Sequence, residues 1–320
     1  MPSSIADSPV LGNAICAWRA DTIDDRGNWY CRLSESCLSA IDRALDKWRR
    51  EQRSVTELEA SAALRTACRA AVEPALNALE SGRGFVIIEG VPVERYSAED
   101  ARAMYWLVGQ LLGEPFEQNV EGTLFYDVRD TGRSVAEGAR FSVTNYESSF
   151  HTDNSFGQDV LDYVGLLCLK TAKSGGQSQV LSGYAVYDEL REKYPDAMVT
   201  LCQPFHVDRR GGTREGEAPT VRFPLIDRIN GEILFRYLRY WIEEGHKKAG
   251  EPLTPAQLGA LNTLDAVLAQ PELRVEFDLR PGDMYFINNR WILHNRTAFQ
   301  DHAEPERRRH LVRLWLKARP

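Results

Sequence analysis

The chain of 320 residues has no apolar run approaching the roughly 18 residues that a membrane-spanning helix needs, so no membrane partner is expected. Its start, MPSSIADSPVLGNAICAW, lacks the basic stretch and apolar block of a secretion leader. None of its 6 cysteines stands in a CxxC pair. In a chain of this size without a leader, that predicts reduced thiols and a cytoplasmic protein rather than a disulfide framework. A basic excess is missing too. Lys and Arg total 39 against 46 Asp and Glu, a net charge of -7, which argues against a nucleic-acid partner. Internal repeats, low-complexity tracts and Pro/Gly/Ser-rich linkers are absent, so residues 1–320 read as a single domain. No Ser-His-Asp or paired-carboxylate signature points to acid–base hydrolysis.

The residues that are present divide the chain by texture. From about 34 to 80, Leu38, Ile41, Leu45 and Trp48 recur at three- and four-residue spacing, and the pattern continues through ELEASAALRTACRAAVEPALNALE. This predicts a helical layer, serving packing or an oligomer interface. FVIIEGVPV then reads as a buried strand leaving into a turn, and SAEDARAMYWLVGQLLG as a helix capped by Ser97, with Asp100 three residues on and Gly113 as its stop. Beyond about 115, short runs such as YVGLLCLK, SQVLSG, VEFDL, MYFIN and HLVRLWLK are separated by Gly, Pro, Asn and Asp. That rhythm predicts a mainly antiparallel β core with helices outside it, broken by a helical insert at about 185–269.

Within the β region, His151 and Asp153 lie two residues apart. On an extended segment, residues i and i+2 point to one face, so both could reach one ion. His294 follows in GDMYFINNRWILHNRTAF. Two imidazoles and a carboxylate form a facial triad that leaves positions free, a set suited to Fe(II) with a chelating cosubstrate and oxygen. Arg309 and Arg313 come later at a spacing of four, and an arginine fork matches a carboxylate. Ser178 offers a hydroxyl just past Gly175-Gly176.

Taken together, FHTDNSF (150–156), DYVGLLCLKTAKSGGQSQVLSG (162–183), PGDMYFINNRWILHNRTAF (281–299) and RRHLVRLWL (308–316) resemble the taurine dioxygenase/TfdA-type Fe(II)/2-oxoglutarate oxygenases, near the clavaminate synthase-like group. The resemblance runs in order over about residues 80 to 318. It implies a double-stranded β-helix (jelly-roll) core. It also implies Fe(II) on His151, Asp153 and His294, with 2-oxoglutarate and O2 as cosubstrates. Ser178 matches a position, usually Thr, that holds the cosubstrate's far carboxylate, and Arg309 the arginine that pairs with it. Arg313 matches a second arginine that reaches the near carboxylate in some members and substrate in others. Halogenating relatives have Gly or Ala where this chain has Asp153, so hydroxylation is expected, with desaturation or ring closure as the alternative.

Substrate contacts are expected from Tyr146 and Glu147 before the iron motif, from Asn154 after it, and from Arg296 on the His294 strand. Asp208 and Arg209, in a charged stretch with Arg210, Arg236 and Tyr240, are further candidates. The substrate implied is a small polar molecule, an amino acid or a derivative of one in specialised metabolism. Two readings compete: a jelly-roll binding protein without turnover, which would be free to lose the triad and both arginines, and a zinc hydrolase, which leaves Ser178 and Arg309 unexplained. His206, His246, His302 and His310 have no partner at ligand spacing and read as structural or surface groups.

Overall fold

A computed structural model describes residues 15–23, 29–133, 141–210, 212–213, 215–229 and 231–319; the start of the chain read above for a leader, residues 1–14, lies outside them. Seven strands build the larger sheet. In spatial order they are Tyr30–Arg32, Phe85–Glu89, Met284–Asn288, Tyr163–Lys170, His310–Lys317 and Glu114–Phe116, with Phe125–Val128 also paired to His310–Lys317. All these pairings are antiparallel except Tyr30–Arg32 on Phe85–Glu89. A three-stranded sheet, Arg274–Phe277, Ser178–Ser182 and Ile292–Arg296, packs against it through Phe277, whose ring lies 6.0 Å from Phe85 and 5.1 Å from Tyr285. The two sheets form the jelly-roll core.

Strand period decides what each face buries. Phe85, Ile87, Val164, Cys168, Tyr285, Ile287, Leu311 and Trp315 turn into the space between the sheets. Their neighbours Val86, Ile88, Tyr163, Leu167, Met284, Phe286, Val312 and Leu314 turn outward onto helices. Covering both faces explains why FVII is a continuous apolar run rather than an alternating one. Arg313 has the parity of Leu311 and Trp315. A guanidinium is thereby directed between the sheets, where a charge needs a partner.

The helical stretch 34–80 is two helices, Glu35–Glu51 and Ala62–Glu80, each N-capped by a serine (Ser34, Ser61). A 3-10 turn at Val55–Glu57 divides them because Glu57 turns back to the Ser54 N–H, a local capping box. The helix Ala98–Leu112 begins at Ser97 with the Asp100 capping box and ends at Gly113, as its sequence predicts. Gly113 is extended rather than left-handed; a Cβ there would sit 2.5 Å from the Lys317 carbonyl. The insert at 185–269 contains helices Gly183–Lys193, Pro195–Leu201, Arg239–Ala249 and Pro255–Leu268. It is not wholly helical, because two hairpins, Pro204–Asp208 with Thr220–Pro224 and Ile226–Ile229 with Glu232–Phe235, lie between them.

The reduced-thiol expectation fails at one place. Cys37 and Cys68, fully buried, form a disulfide with Cα atoms 4.5 Å apart, while Cys16, Cys31, Cys168 and Cys202 remain thiols. Packing of the first two helices juxtaposes positions 31 residues apart, which no local spacing could signal. Among the described residues no helix is long and apolar enough to cross a membrane.

Candidate metal centre

His294 lies on the strand Ile292–Arg296, paired on one side with Val180 of Ser178–Ser182. On the other side it exchanges backbone hydrogen bonds with His151: His151 N donates to the His294 carbonyl at 3.0 Å, and His294 N to the His151 carbonyl at 2.9 Å. This reciprocal pair sets the two imidazoles side by side, with ring centroids 4.3 Å apart.

The extended geometry expected for 151–153 stops at His151. Thr152 turns inward, its N–H donating to the Tyr237 carbonyl at 2.9 Å and its hydroxyl to the Phe235 carbonyl at 3.1 Å. Asp153 then opens a turn in which Asn154 takes φ 54°. The ligand-bearing backbone is fixed instead by Asn289, whose Oδ1 accepts from Asp153 N at 2.8 Å and whose Nδ2 donates to the Asp153 carbonyl at 2.9 Å.

The two oxygens of Asp153 face different partners. Oδ1 lies 3.5 Å from His151 Nε2 and 4.0 Å from His294 Nε2. Oδ2 accepts from Trp315 Nε1 at 2.9 Å and lies 3.0 Å from Arg313 Nη1. Burial alone would raise this carboxyl's pKa, but Arg313, His151 and His294 together hold it well below the usual carboxylate range. Burial, reinforced by His151, pushes His294 down to about 3, so its imidazole is neutral at ordinary pH. His151 Nδ1 faces the Ser149 carbonyl at 2.8 Å. Because a carbonyl can only accept, Nδ1 carries the proton of that contact, and Nε2 is the ring nitrogen turned toward Asp153. One ligand atom from each of the three residues lies within 4.8 Å of the others. A compact donor set of two imidazoles and one carboxylate fits a divalent first-row metal with open positions.

Two cavities meet at this triad. One is bordered by Ser178, Tyr285, Arg296 and Arg309, with Val128, Val164 and Leu166 as apolar wall. Arg309 is buried beside the left-handed Gly176 (φ 82°), where a Cβ would approach its Nε to 3.3 Å. Burial lowers Arg309 to about 10, and burial together with Arg309 lowers Arg296 to about 9. Arg309 Nη1 has no hydrogen-bond partner among the described residues. A buried guanidinium of this kind calls for an anion. The other cavity is bordered by Gln118, Asn154, Phe156, Arg210, Leu238 and Trp241.

The remaining sequence candidates separate. Arg296 shares the first cavity, but its Nη1 and Nη2 donate to the Thr144 and Tyr146 carbonyls, so it also anchors the segment before His151. Tyr146 is 57% exposed and Glu147 is exposed; neither borders a cavity at the triad, because the polar loop turns them to the surface. Asp208 is buried in an ion pair with Lys248 at 2.8 Å. Arg209 pairs with Glu217 at 2.7 Å, on a groove that shares Gln118, Asn154, Phe156, Arg210 and Trp315 with the second cavity. Arg210, at φ 57°, reaches that cavity and lies 3.7 Å over the Trp241 ring. Arg236 stacks on Phe223 at 4.2 Å instead. Asn289, Trp315, Trp241 and Tyr285 were not singled out from sequence. For Trp315 the signal was available in the alternation of LVRLWLK; Asn289 acts across 136 residues and gave none.

The family model for the taurine catabolism dioxygenase TauD, TfdA family matches residues 52–315. The chain belongs to this family. It is an Fe(II)/2-oxoglutarate-dependent dioxygenase that uses O2. Among curated proteins it is similar to the FR-33289 synthase of Streptomyces rubellomurinus, 28% identical over 98% of this chain and 91% of that protein. It is similar also to a uridine-5'-phosphate dioxygenase of Amycolatopsis sp, 31% identical over 67% of this chain and 78% of that one. An asparagine oxygenase solved in complex with Fe(II), 2S,3S-3-hydroxyasparagine and succinate shares its fold, with a TM-score of 0.66 at 19% identity, covering 91% of this chain and 93% of that one. So does the non-heme iron oxygenase OrfP in complex with Fe and alpha-ketoglutaric acid, with a TM-score of 0.66 at 17% identity, covering 91% and 94%.

Proposed function

We propose that this dioxygenase hydroxylates a small polar molecule, an amino acid or a derivative of one, with Fe(II) held by His151, Asp153 and His294. The observation that carries the reading is the junction of two cavities at one compact donor triad, the inner cavity bearing an unpaired buried guanidinium on Arg309. The inner cavity takes 2-oxoglutarate, its far carboxylate held by Ser178 and Arg309. The outer one takes the substrate.

Bound Fe(II), with 2-oxoglutarate and O2, supplies the oxidising power that converts a C–H bond to C–OH. The protein's own part is positional. Arg313 and Trp315 occupy Asp153 Oδ2, so Oδ1 alone is turned to the two histidines. Asn289 keeps that carboxylate in place, and the apolar wall of Val128, Val164 and Leu166 limits water around the cosubstrate. Gln118, Asn154 and Arg210 offer polar contacts against Phe156, Leu238 and Trp241, a lining suited to a charged or amide-bearing molecule. Similar folds described with 3-hydroxyasparagine and with (3S)-hydroxy-L-Arg support an amino-acid substrate. A retained Asp153 favours hydroxylation over halogenation, with desaturation or cyclisation as the alternative outcome. The same reading has residues 1–320 acting as one catalytic domain in the cytoplasm, on a small molecule rather than on nucleic acid or membrane.

The test is succinate release with Fe(II) and 2-oxoglutarate across a panel of free and derivatised amino acids, with uridine 5'-phosphate and 2,4-dichlorophenoxyacetate alongside. The expected result is stimulation by an amino-acid member and a product heavier by one oxygen. Stimulation by the nucleotide or the aryloxyacetate alone would overturn the substrate class.

A further inference from the structure

The hydroxyl of Tyr285 is buried between the sheets and has no hydrogen-bond partner among the described residues. Strand period sends Tyr285 of Met284–Asn288 to the inter-sheet side, where its ring lies edge-on to Phe277 at 5.1 Å. It borders the same cavity as Ser178 and Arg309, whose Nη1 is equally without a partner. Unpaired polar groups at this depth are rare, and a phenol and a guanidinium left unpaired on one cavity are costly unless something fills the space between them. No carboxylate of this lining is free to neutralise the guanidinium. The one acidic residue there, Asp153, is already engaged by Arg313 and Trp315 at Oδ2 and faces the histidines with Oδ1.

We propose that Tyr285 is a third donor to the far carboxylate of 2-oxoglutarate, beside Ser178 and Arg309. The assignment rests on the cofactor reading above and goes beyond it by naming a residue of this chain that sets cosubstrate choice. A phenol and a guanidinium converging on one carboxylate satisfy both groups at once. Burial raises the phenol's pKa well above its ordinary value, so Tyr285 remains a proton-bearing donor throughout the working range. The consequence is discrimination by chemistry rather than size. A 2-oxo acid of the same length without the second carboxylate would leave Tyr285 and Arg309 both unpaired, and a site built to donate rejects such an analogue strongly.

The experiment is calorimetric titration of Mn(II)-loaded protein with 2-oxoglutarate and with 2-oxovalerate, for the wild type and for Tyr285→Phe, with unfolding of each ligand-free protein alongside. Phenylalanine keeps the ring and its packing. The expected result is a roughly 5- to 30-fold weaker Kd for 2-oxoglutarate in the variant. Binding of 2-oxovalerate should change by less than about twofold, because it makes no bond to the hydroxyl. The ligand-free variant should unfold at the same or a higher temperature, because an unpaired hydroxyl has been removed. Unchanged 2-oxoglutarate affinity, or equal weakening of both ligands, would overturn the role of Tyr285. A wild-type protein that binds no 2-oxoglutarate would instead overturn the cofactor reading on which it rests.

Discussion

Arg313 Nη1 lies 3.0 Å from Asp153 Oδ2, a buried ion pair in which a guanidinium bordering both cavities neutralises the carboxylate of the donor triad. The pairing follows from strand parity, which turns Arg313 between the sheets, and from the turn after Thr152, which brings Asp153 to it. Removing one partner of a buried pair leaves an uncompensated charge and costs about 3–5 kcal/mol. Arg313→Met is therefore expected to lose roughly that much stability in urea unfolding. Asp153→Asn combined with Arg313→Met should lose far less than the two single changes added together. Additive losses would show that the two groups do not act as a pair.

Asn289 grips both the N–H and the carbonyl of Asp153. Loss of an outer partner of a metal ligand weakens metal affinity by roughly 10- to 100-fold. Asn289→Ala is expected to do so in a competitive Mn(II) titration, while His302→Ala, half-buried and outside both cavities at the triad, leaves the affinity unchanged.

The β core was legible because strands such as Tyr163–Lys170 carry their pattern locally, and Ser97 with Asp100 announced a helix start in four residues. The three side chains that the structure gathers into the donor triad, and Arg309 on the adjoining cavity, were legible through motif order. What escaped was set by long-range packing. Asn289 and Cys37–Cys68 are contacts that no spacing encodes. Asp208 and Arg209 are turned to Lys248 and Glu217 by a hairpin that sequence read as a charged loop, and the left-handed Arg210 reaches the cavity in their place. Tyr146 and Glu147 have suitable chemistry, but the loop turns them outward.

His246 offers a pH test away from the triad. Its Nε2 accepts from the His206 N–H at 3.2 Å while Nδ1 donates to the Glu251 carbonyl at 2.7 Å, an arrangement that needs the neutral ring. Burial lowers its pKa from 6.5, with His206 and Arg222 adding to the effect and Glu251 opposing it. A folded-state pKa below the unfolded one means that stability is fully present above about pH 6.5 and is lost as pH falls toward the folded value. Melting temperature should hold from pH 8 to about 6.5 and then decline, and His246→Gln should flatten that decline. A decline of the same slope in the variant would assign the acid sensitivity elsewhere.

The Cys37–Cys68 bridge closes a loop of 31 residues, and constraint of the unfolded chain by such a loop is worth about 3–4 kcal/mol. Reductant should lower the melting temperature of the wild type and leave Cys37→Ala/Cys68→Ala unaffected. Alkylation of the unfolded, unreduced protein should reach Cys16, Cys31, Cys168 and Cys202 and spare the other two. Labelling of all six would return the chain to fully reduced thiols.

The central claim is that His151, Asp153 and His294 hold one Fe(II) to which 2-oxoglutarate binds. Anaerobic addition of Fe(II) and 2-oxoglutarate, followed by visible absorption and bound-iron analysis, tests it most directly. The expected result is one iron per chain and a weak charge-transfer band that needs both additions, both lost in Asp153→Ala and both retained in His246→Gln. A wild-type protein without the band, or an Asp153→Ala protein that keeps the iron and the band, would contradict the account.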